Sequence, residues 1–331
     1  MSLKTFVNKS VPTLYMTELS PPVRSVLMTA YILGLPLYKK EINLISGEQR
    51  TQEYLRASFN DNLKTFMNPQ GTVPLLQDKD YCLWDSHAIS GYLVHEYGKS
   101  DMLYPKDSRK RALVDQRLHF DTGTLYPEFR NIVVNYRHFI VVHFNHKYLI
   151  IDKEYLKCKT RFDLLSFYPV IGGEKIVTKE KIIRLENVYK ILDSILANAK
   201  TKWLVGDTIT IADLCNVATL STLEFILFIS LFFFLLHEDN IYFSQILEHC
   251  DALFTCENNF WYIIFYLFVL FFMEIHGVMV YALKLFVPPT GEYPNLENWL
   301  RTCKNEIPGY EEVNQRGLDK LVDYVKILLR K

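Results

Sequence analysis

Residues 13–34 have the sequence TLYMTELSPPVRSVLMTAYILG, and this stretch decides the fold of the first part of the chain. An apolar strand over residues 13–16 is followed by a loop that ends at Ser20 and by a helix over residues 21–33. Prolines at the first helical positions and a glycine, Gly34, just after the last one are the ends that a helix prefers. The stretch therefore predicts a strand–loop–helix unit of an α/β fold.

Ser20 stands directly before the Pro-Pro start of this helix. Its hydroxyl and the positive end of the helix dipole therefore converge on one point, an arrangement that binds an anion or stabilises a thiolate. The alternative is structural, because serine is also a favoured N-cap residue. The local sequence leaves both interpretations open.

The rest of the first hundred residues predicts a small α/β unit with two further site elements. We expect a strand at 36–43, a polar helix from about 46, strands at 72–76 and ending near 84, and a helix at 86–97. Pro74 in Thr72-Val73-Pro74 is a candidate for a cis-proline, which turns the backbone N–H and C=O of Val73 toward an extended peptide. Asp85 and Ser86 could bind an ammonium and a carboxylate of one ligand, or could only cap the helix that follows.

Composition excludes several classes of function. Lys and Arg number 37, Asp and Glu also number 37, and 49% of the residues are hydrophobic. This hydrophobic content excludes a disordered chain, and zero net charge without a basic cluster argues against nucleic-acid binding. Scattered cysteines and the absence of a secretory signal over residues 1–20 favour a reducing compartment, so we expect a cytoplasmic protein.

The polar stretch GKSDMLYPKD, residues 98–107, is the predicted domain boundary, after which the hydrophobic pattern is mostly helical. Two later segments depart from their surroundings. Residues 134–166 contain neither glycine nor proline and have a strand pattern, and residues 225–281 are rich in aromatic residues and contain no Lys or Arg. The apolar runs of the second segment are shorter than the roughly 18 residues expected of a membrane span and lack basic flanks, which argues against a membrane hairpin.

Polar groups in the helical part are predicted to be structural. Thr210 and Asp213, three residues apart before an apolar helix, form a capping-box variant. Asp115, His119 and Asp121 are expected to pack and cap rather than to act as an acid/base set. Two His/Cys clusters fit no closed zinc pattern, so we predict no metal site. These clusters are His138, His143 and His146, and His249, Cys250 and Cys256.

Seven stretches resemble insect cytosolic glutathione transferases of the delta/epsilon type. They are LSPPVRSVLMTAYILGLPL, NPQGTVPLL, WDSHAISGYLVHEYG, LYPKD, RALVDQRLHFDTGTLY, LVGDTITIADLCNVATLSTLE and YPNLENWLRTCKNEIPGYEEVNQRGLDKL. The resemblance implies a thioredoxin-like α/β domain over residues 1–98 and an all-α domain over residues 107–331 with an electrophile pocket. It also implies a cytoplasmic homodimer that conjugates glutathione to hydrophobic electrophiles in detoxification. Glutathione is then a co-substrate, and no metal or organic cofactor is needed.

The resemblance also assigns roles to individual residues. Ser20 matches the family's catalytic serine, whose hydroxyl donates a hydrogen bond to the glutathione sulfur and stabilises the thiolate. Val73 would pair its backbone with the cysteinyl part of glutathione, and Asp85 and Ser86 would hold the γ-glutamyl end. The glutathione-binding residues implied in this way are Val73, Pro74, Asp85, Ser86, Gln49 and Arg130. Tyr126, one turn before Arg130, would line the electrophile pocket.

The chain departs from the family pattern in two respects. Gly71 stands where relatives usually carry a histidine that helps to bind the glycyl carboxylate, so we expect weaker glutathione binding, with Gln49 as a substitute donor. Three segments, residues 57–66, 134–166 and 225–281, interrupt motifs that are contiguous in relatives. We interpret the two long segments as translated noncoding sequence and the short one as a shifted splice boundary.

If these segments are real protein, two alternatives remain. One is a catalytically impaired binding or structural protein on the same fold, which would retain glutathione weakly. The other is a membrane-associated relative held by residues 225–281, since apolar runs of this kind must be buried or they form a patch prone to association.

Overall fold

The structure is a computed structural model that describes residues 11–44, 46–56, 68–131, 179–236 and 291–329. The segments 57–66 and 134–166 and both His/Cys clusters lie outside these residues. Of the segment 225–281, only the backbone of residues 225–236 is described.

The first hundred residues contain a four-stranded mixed sheet. Its strands are β1 (Thr13–Met16), β2 (Tyr38–Glu41), β3 (Leu75–Asp78) and β4 (Tyr81–Trp84), in the order β2-β1-β3-β4. β1 pairs parallel with β2, and β3 pairs antiparallel with β1 and β4. This βαβ–ββα arrangement is the one that the sequence predicts.

Three helices accompany the sheet: α1 (Pro21–Leu33), α2 (Gln52–Arg56), which follows a 3₁₀ turn at Glu48–Arg50, and α3 (Ser86–Tyr97). Gly34 ends α1 in the left-handed conformation at φ 62°, and its N–H bonds to the carbonyls of Ala30 and Tyr31. The predicted proline start and glycine end of α1 are therefore confirmed.

Two strands are shorter than predicted. β2 pairs with β1 only from Tyr38 to Glu41, because β1 itself has four residues. All four β2 residues are exposed, and charged side chains on such an edge strand discourage pairing with another chain. β3 begins at Leu75 rather than Thr72, because Pro74 has no N–H and the Thr72 carbonyl accepts side-chain hydrogen bonds instead.

The remaining described elements are helical. They are α4 (Ser108–Phe120), which continues through a π-helical turn at Asp121–Leu125, α5 (Lys179–Ala199), α6 (Ile211–Leu236), α7 (Pro294–Glu306), a π-helical turn at Tyr310–Gln315, and α8 (Arg316–Leu329). The predicted capping box is confirmed, since Asp213 Oδ2 accepts from the N–H and hydroxyl of Thr210 at 2.9 and 3.0 Å. Asp213 Oδ1 also accepts from Leu204 N–H and Trp299 Nε1. None of the helices in the described ranges has both the length and the apolar character of a bilayer span.

The chain divides into two compact units. The first comprises Met1–Pro127, Val188–Thr222 and Pro294–Ile327, and the second comprises Glu128–Asn187, Leu223–Tyr293 and Leu328–Lys331. The first unit contains the whole sheet. Its fully buried core side chains include Leu14, Met28, Leu75, Ile89 and Trp299. The domain division at residues 98–107 stays a prediction.

Candidate active site

The predicted site elements lie at one end of the sheet. Strand pairing places Tyr15 of β1 opposite Leu75 of β3, and Leu75 opposite Trp84 of β4. The loop after β1, the residues before β3 and the residues after β4 therefore lie at the same end of the sheet. These three segments carry Ser20, Val73–Pro74 and Asp85–Ser86.

Ser20 lies at the N-cap of α1, half-buried, with an extended backbone. Its N–H donates to the Thr17 carbonyl and its own carbonyl accepts from Arg24 N–H, both at 3.1 Å. Within the described residues its hydroxyl makes no capping bond, and Pro21 and Pro22 have no N–H groups to cap. Ser20 thus occupies the N-cap position without using its hydroxyl as a cap, and the hydroxyl lies at the positive end of the α1 dipole, able to donate to a ligand.

The peptide bond between Val73 and Pro74 is cis, as predicted. The residue before it is fixed by two side chains that the sequence analysis missed. Tyr54 Oη and Asn68 Nδ2 both donate to the Thr72 carbonyl at 2.7 Å. Asn68 is fully buried, and its Oδ1 accepts from Gln70 N–H. Val73 is half-buried and lies between this fixed carbonyl and the cis peptide bond.

Asp85 caps α3. Its Oδ1 accepts from the N–H groups of His87 at 3.0 Å and Ala88 at 3.1 Å. Its φ of 74° is a conformation that a non-glycine residue adopts only when its surroundings impose it. The capping alternative is therefore confirmed for Asp85, although capping uses only one carboxylate oxygen. Ser86 is the first residue of α3 and is 7% exposed.

A buried polar cluster, which the sequence analysis did not predict, supports the start of α3. His87 Nε2 and Asp121 Oδ2 are 2.8 Å apart, and Thr219 Oγ1 donates to Asp121 Oδ1 at 3.2 Å. Burial opposes a positive charge on His87, but the interactions with Cys215 and Asp121 outweigh burial and raise the pKa of His87. Asp121 is 5% exposed, as expected of a packing residue. The cluster joins α3, the turn after α4, and α6.

Arg24, one turn after Ser20, is the second group that the sequence analysis missed. Its side chain is fully buried, and burial lowers the pKa of its guanidinium to about 10, so it remains charged at neutral pH. Nε donates to Asn314 Oδ1 at 2.9 Å, and Nη1 donates to the carbonyls of Glu18 and Leu19 at 3.0 and 3.2 Å. The sequence feature that could have predicted this buried network is a single charged residue, Arg24, in the otherwise largely apolar stretch PPVRSVLMTA.

Gly71 and Gln49 lie together. Gly71 has a φ of 59°, and a Cβ at this position would lie 3.0 Å from the Gln49 carbonyl oxygen. Gln49 belongs to the 3₁₀ turn before α2, and its Oε1 is buried with no hydrogen-bond partner among the described residues. A histidine at position 71 would therefore need both an unfavourable backbone conformation and a shift of the turn.

Tyr126 and Arg130 lie on the helical continuation of α4. Tyr126 is half-buried and belongs to the unit that contains Ser20. Arg130 is exposed and belongs to the other unit. Their assignment to the electrophile pocket and to glutathione stays a prediction. Groups of three or more His, Cys, Asp or Glu side chains that could hold a metal are absent from the described part of the chain.

Comparison with known proteins agrees with this architecture. The family model of the glutathione S-transferase N-terminal domain matches residues 14–101, and that of the C-terminal domain matches residues 172–253. The chain is 37% identical to glutathione S-transferase 1 of Manduca sexta over 216 residues, covering 65% of this chain and 78% of that protein.

Solved structures give the same result. A delta-class glutathione transferase of Nilaparvata lugens has a TM-score of 0.58 at 26% identity, covering 96% of this chain and 99% of its own. An epsilon-class glutathione S-transferase of the housefly, Musca domestica, has a TM-score of 0.57 at 27% identity, covering 96% and 98%. Sequence and structure thus agree on a thioredoxin-like domain followed by a helical domain, and the chain belongs to the glutathione S-transferase family.

Proposed function

We propose that this chain joins glutathione to hydrophobic electrophiles, with the Ser20 hydroxyl as the hydrogen-bond donor to the glutathione sulfur. The observation that carries the proposal is the position of the Ser20 hydroxyl at the N-terminus of α1, where it makes no capping bond among the residues that the structure describes. In the reaction the thiol loses its proton to solvent, and a lone pair of the thiolate forms the carbon–sulfur bond. A leaving group, where the electrophile has one, departs with its bonding electrons.

The energy that this chemistry needs is within reach of the site. Lowering a thiol pKa from about 8.5 by roughly two units requires about 2.7 kcal/mol of preference for the thiolate. One hydrogen bond to a charged acceptor contributes about 1.5–3 kcal/mol. The helix dipole adds about 0.3–1 kcal/mol. Ser20 and α1 together are therefore sufficient without a metal or an organic cofactor.

Backbone and helix-terminus groups would orient the tripeptide. Val73, with Pro74 after it, would pair with the cysteinyl residue of glutathione, which matches the way that Tyr54 and Asn68 hold the preceding carbonyl. At the γ-glutamyl end, the carboxylate of Asp85 would accept from the ammonium. The hydroxyl of Ser86 and the N-terminus of α3 would bind the carboxylate.

The other end of the tripeptide is assigned to Gln49, whose side chain lies in the turn that contacts Gly71. Arg130 is proposed as a further glutathione contact, and Tyr126 as a wall of the electrophile pocket. The proposal includes a homodimer in the cytoplasm and a role in detoxification, as the family membership suggests.

Substitution of Ser20 by alanine tests the proposal. With glutathione and an activated aryl chloride as substrates, we expect kcat/KM at neutral pH to fall about 10- to 100-fold, the loss of one hydrogen bond to a charged atom. The thermal unfolding temperature should stay near the wild-type value, since the Ser20 hydroxyl makes no capping bond among the described residues. The dissociation constant of glutathione should be unchanged at about pH 5, where the thiol is protonated in both proteins. Unchanged turnover in the variant would show that another group stabilises the thiolate.

A further inference from the structure

Arg24 is placed to act on Ser20 through the backbone. Its Nη1 donates to the carbonyl of Leu19 at 3.2 Å and to the carbonyl of Glu18 at 3.0 Å. The Leu19 carbonyl belongs to the same peptide group as the Ser20 nitrogen, so this bond fixes the plane from which the Ser20 side chain projects. Since Ser20 N–H and C=O are bonded as well, every backbone group around the hydroxyl has a partner.

The opposite side of the guanidinium is fixed by other elements of the same unit. Nε bonds to Asn314 in the turn before α8, and Nη2 donates to Thr222 Oγ1 and to the Ala218 carbonyl of α6. Asn314 in turn donates to Ser221 Oγ at 2.9 Å. All of these acceptors are neutral. The five N–H groups of the guanidinium are thus divided between two sets of partners. One is the loop that ends at Ser20, and the other is α6 with the turn before α8.

Gly317 of α8 makes room for this arrangement. A Cβ at position 317 would overlap the Arg24 side chain and lie 2.7 Å from the Glu18 carbonyl oxygen. Both atoms belong to the interaction that fixes the loop. A side chain at position 317 would therefore displace both the Arg24 guanidinium and the Glu18 carbonyl. It would do so although α8 is distant from Ser20 in the sequence.

We propose that Arg24 is a positioning residue of the transferase reaction, which fixes the Glu18 and Leu19 carbonyls and so holds the Ser20 hydroxyl where it donates to the glutathione sulfur. This inference rests on the proposed function of Ser20. A displacement of about 1 Å at a reacting group can lower the rate on the order of 100-fold. Fixing the position of the Ser20 hydroxyl through the buried Arg24 guanidinium can therefore have a large effect on the rate. Lysine cannot replace arginine in this role, because an ammonium lacks the planar fork that reaches two carbonyls and an amide at once.

The test is a pH titration of glutathione bound to the full chain, following the ultraviolet absorbance of the thiolate. We expect Arg24→Lys and Gly317→Ala each to raise the pKa of the bound thiol by about one unit, from roughly 6.5 to roughly 7.5, which means about threefold less thiolate at pH 7. kcat/KM should fall by about the same factor at neutral pH and recover at alkaline pH. The glutathione dissociation constant should be unchanged at about pH 5, where the bound thiol is protonated in every variant. The two variants decide independently, so one that does not fold leaves the other as the test.

Two further variants separate the possible outcomes. Tyr31→Phe, the matched control, removes a surface hydrogen bond between α1 and Glu312 in the turn before α8, outside the Arg24 network, and should leave the thiol pKa unchanged. If Arg24→Lys or Gly317→Ala is folded and keeps the wild-type thiol pKa, Arg24 is a structural residue only and the inference is wrong. Ser20→Ala tests the proposed function separately: if it leaves the thiol pKa unchanged, the assignment of Ser20 fails, whatever Arg24 does.

Discussion

The carboxylate of Glu18, two residues before Ser20, accepts hydrogen bonds from the Arg316 guanidinium of α8 at 2.7 and 3.2 Å. Lys320, one turn further along α8, places its Nζ 2.7 Å from the same carboxylate. Burial acts to raise the pKa of Glu18, but Lys320 and Arg316 outweigh it and hold this pKa below its ordinary value. The C-terminal part of the chain thus contacts the loop that carries the candidate catalytic serine.

Substitution of Glu18 by glutamine should lower the free energy of unfolding by about 1 kcal/mol at neutral pH, a modest effect because both cations are half-exposed. A carboxyl whose pKa is lowered by folding stabilises the protein above its unfolded pKa, about 4.3, and loses this effect as pH falls through the folded pKa. Urea unfolding at several pH values should show wild type and variant converging in acid. Glu311→Gln, at an exposed position, is the control, and a difference that persists in acid would contradict the ion-pair explanation.

Substitution of His87 by alanine should cost about 3–5 kcal/mol at neutral pH, because it leaves the Asp121 carboxylate buried without its cation. The raised pKa of His87 means that its stabilising effect is complete below the unfolded value of about 6.5 and declines as pH rises toward the folded pKa. Urea unfolding of both proteins at increasing pH measures this decline.

His95, exposed in the last turn of the same helix, provides the matched control. His95→Ala should change the free energy of unfolding by less than about 0.5 kcal/mol. Equal losses in the two variants would mean that the pair of His87 and Asp121 contributes nothing beyond helix propensity.

The sequence predicted local features well and contacts between distant elements poorly. The ends of α1, the cis bond before Pro74 and the cap at Asp213 depend on residues within four positions of each other. Arg24 and Asn314 are 290 positions apart, and no local pattern specifies which polar side chain meets the guanidinium. The Ser20 site was predictable because its helix start and its hydroxyl are adjacent in sequence, whereas its supporting contacts arise only when the helices pack.

Substitution of Tyr54 by phenylalanine should weaken glutathione binding while leaving the chemical step intact. The Tyr54 hydroxyl holds the Thr72 carbonyl next to Val73, and Asn68 alone would remain to hold it. Loss of about 1 kcal/mol corresponds to about a fivefold higher KM for glutathione, with kcat unchanged because Ser20 is untouched. Steady-state kinetics give both constants.

Tyr31→Phe is the control for Tyr54→Phe, since the Tyr31 hydroxyl donates to Glu312 on the surface. Neither kinetic constant should change in this variant. A fall in kcat with unchanged KM in Tyr54→Phe would instead place Tyr54 in the chemical step.

Introducing the histidine that relatives carry, by Gly71→His, should not restore glutathione affinity in this chain. The backbone at position 71 is left-handed, and the new Cβ would press on the Gln49 carbonyl at 3.0 Å. We expect a loss of more than about 1 kcal/mol in the free energy of unfolding, with glutathione affinity equal to or below that of wild type.

Gly123→Ala is the comparison for Gly71→His, because a Cβ there meets no atom within 4 Å and the backbone is helical. It should be neutral or stabilising by up to about 1 kcal/mol. Tighter glutathione binding in a stable Gly71→His variant would show that the turn around Gln49 adapts to a side chain.

The interrupting segments 57–66, 134–166 and 225–281 predict a difference between the encoded chain and the protein in the cell. If the two long segments are translated noncoding sequence, a protein eluted by free glutathione from a glutathione matrix should have an intact mass lower than that of 331 residues. Intact mass is the right measurement, because residues 203–283 contain no Lys or Arg and trypsin would leave the third segment in one large, apolar peptide. Elution at the full mass would show that the fold accommodates all three segments, and absence from the eluate would favour the catalytically impaired relative.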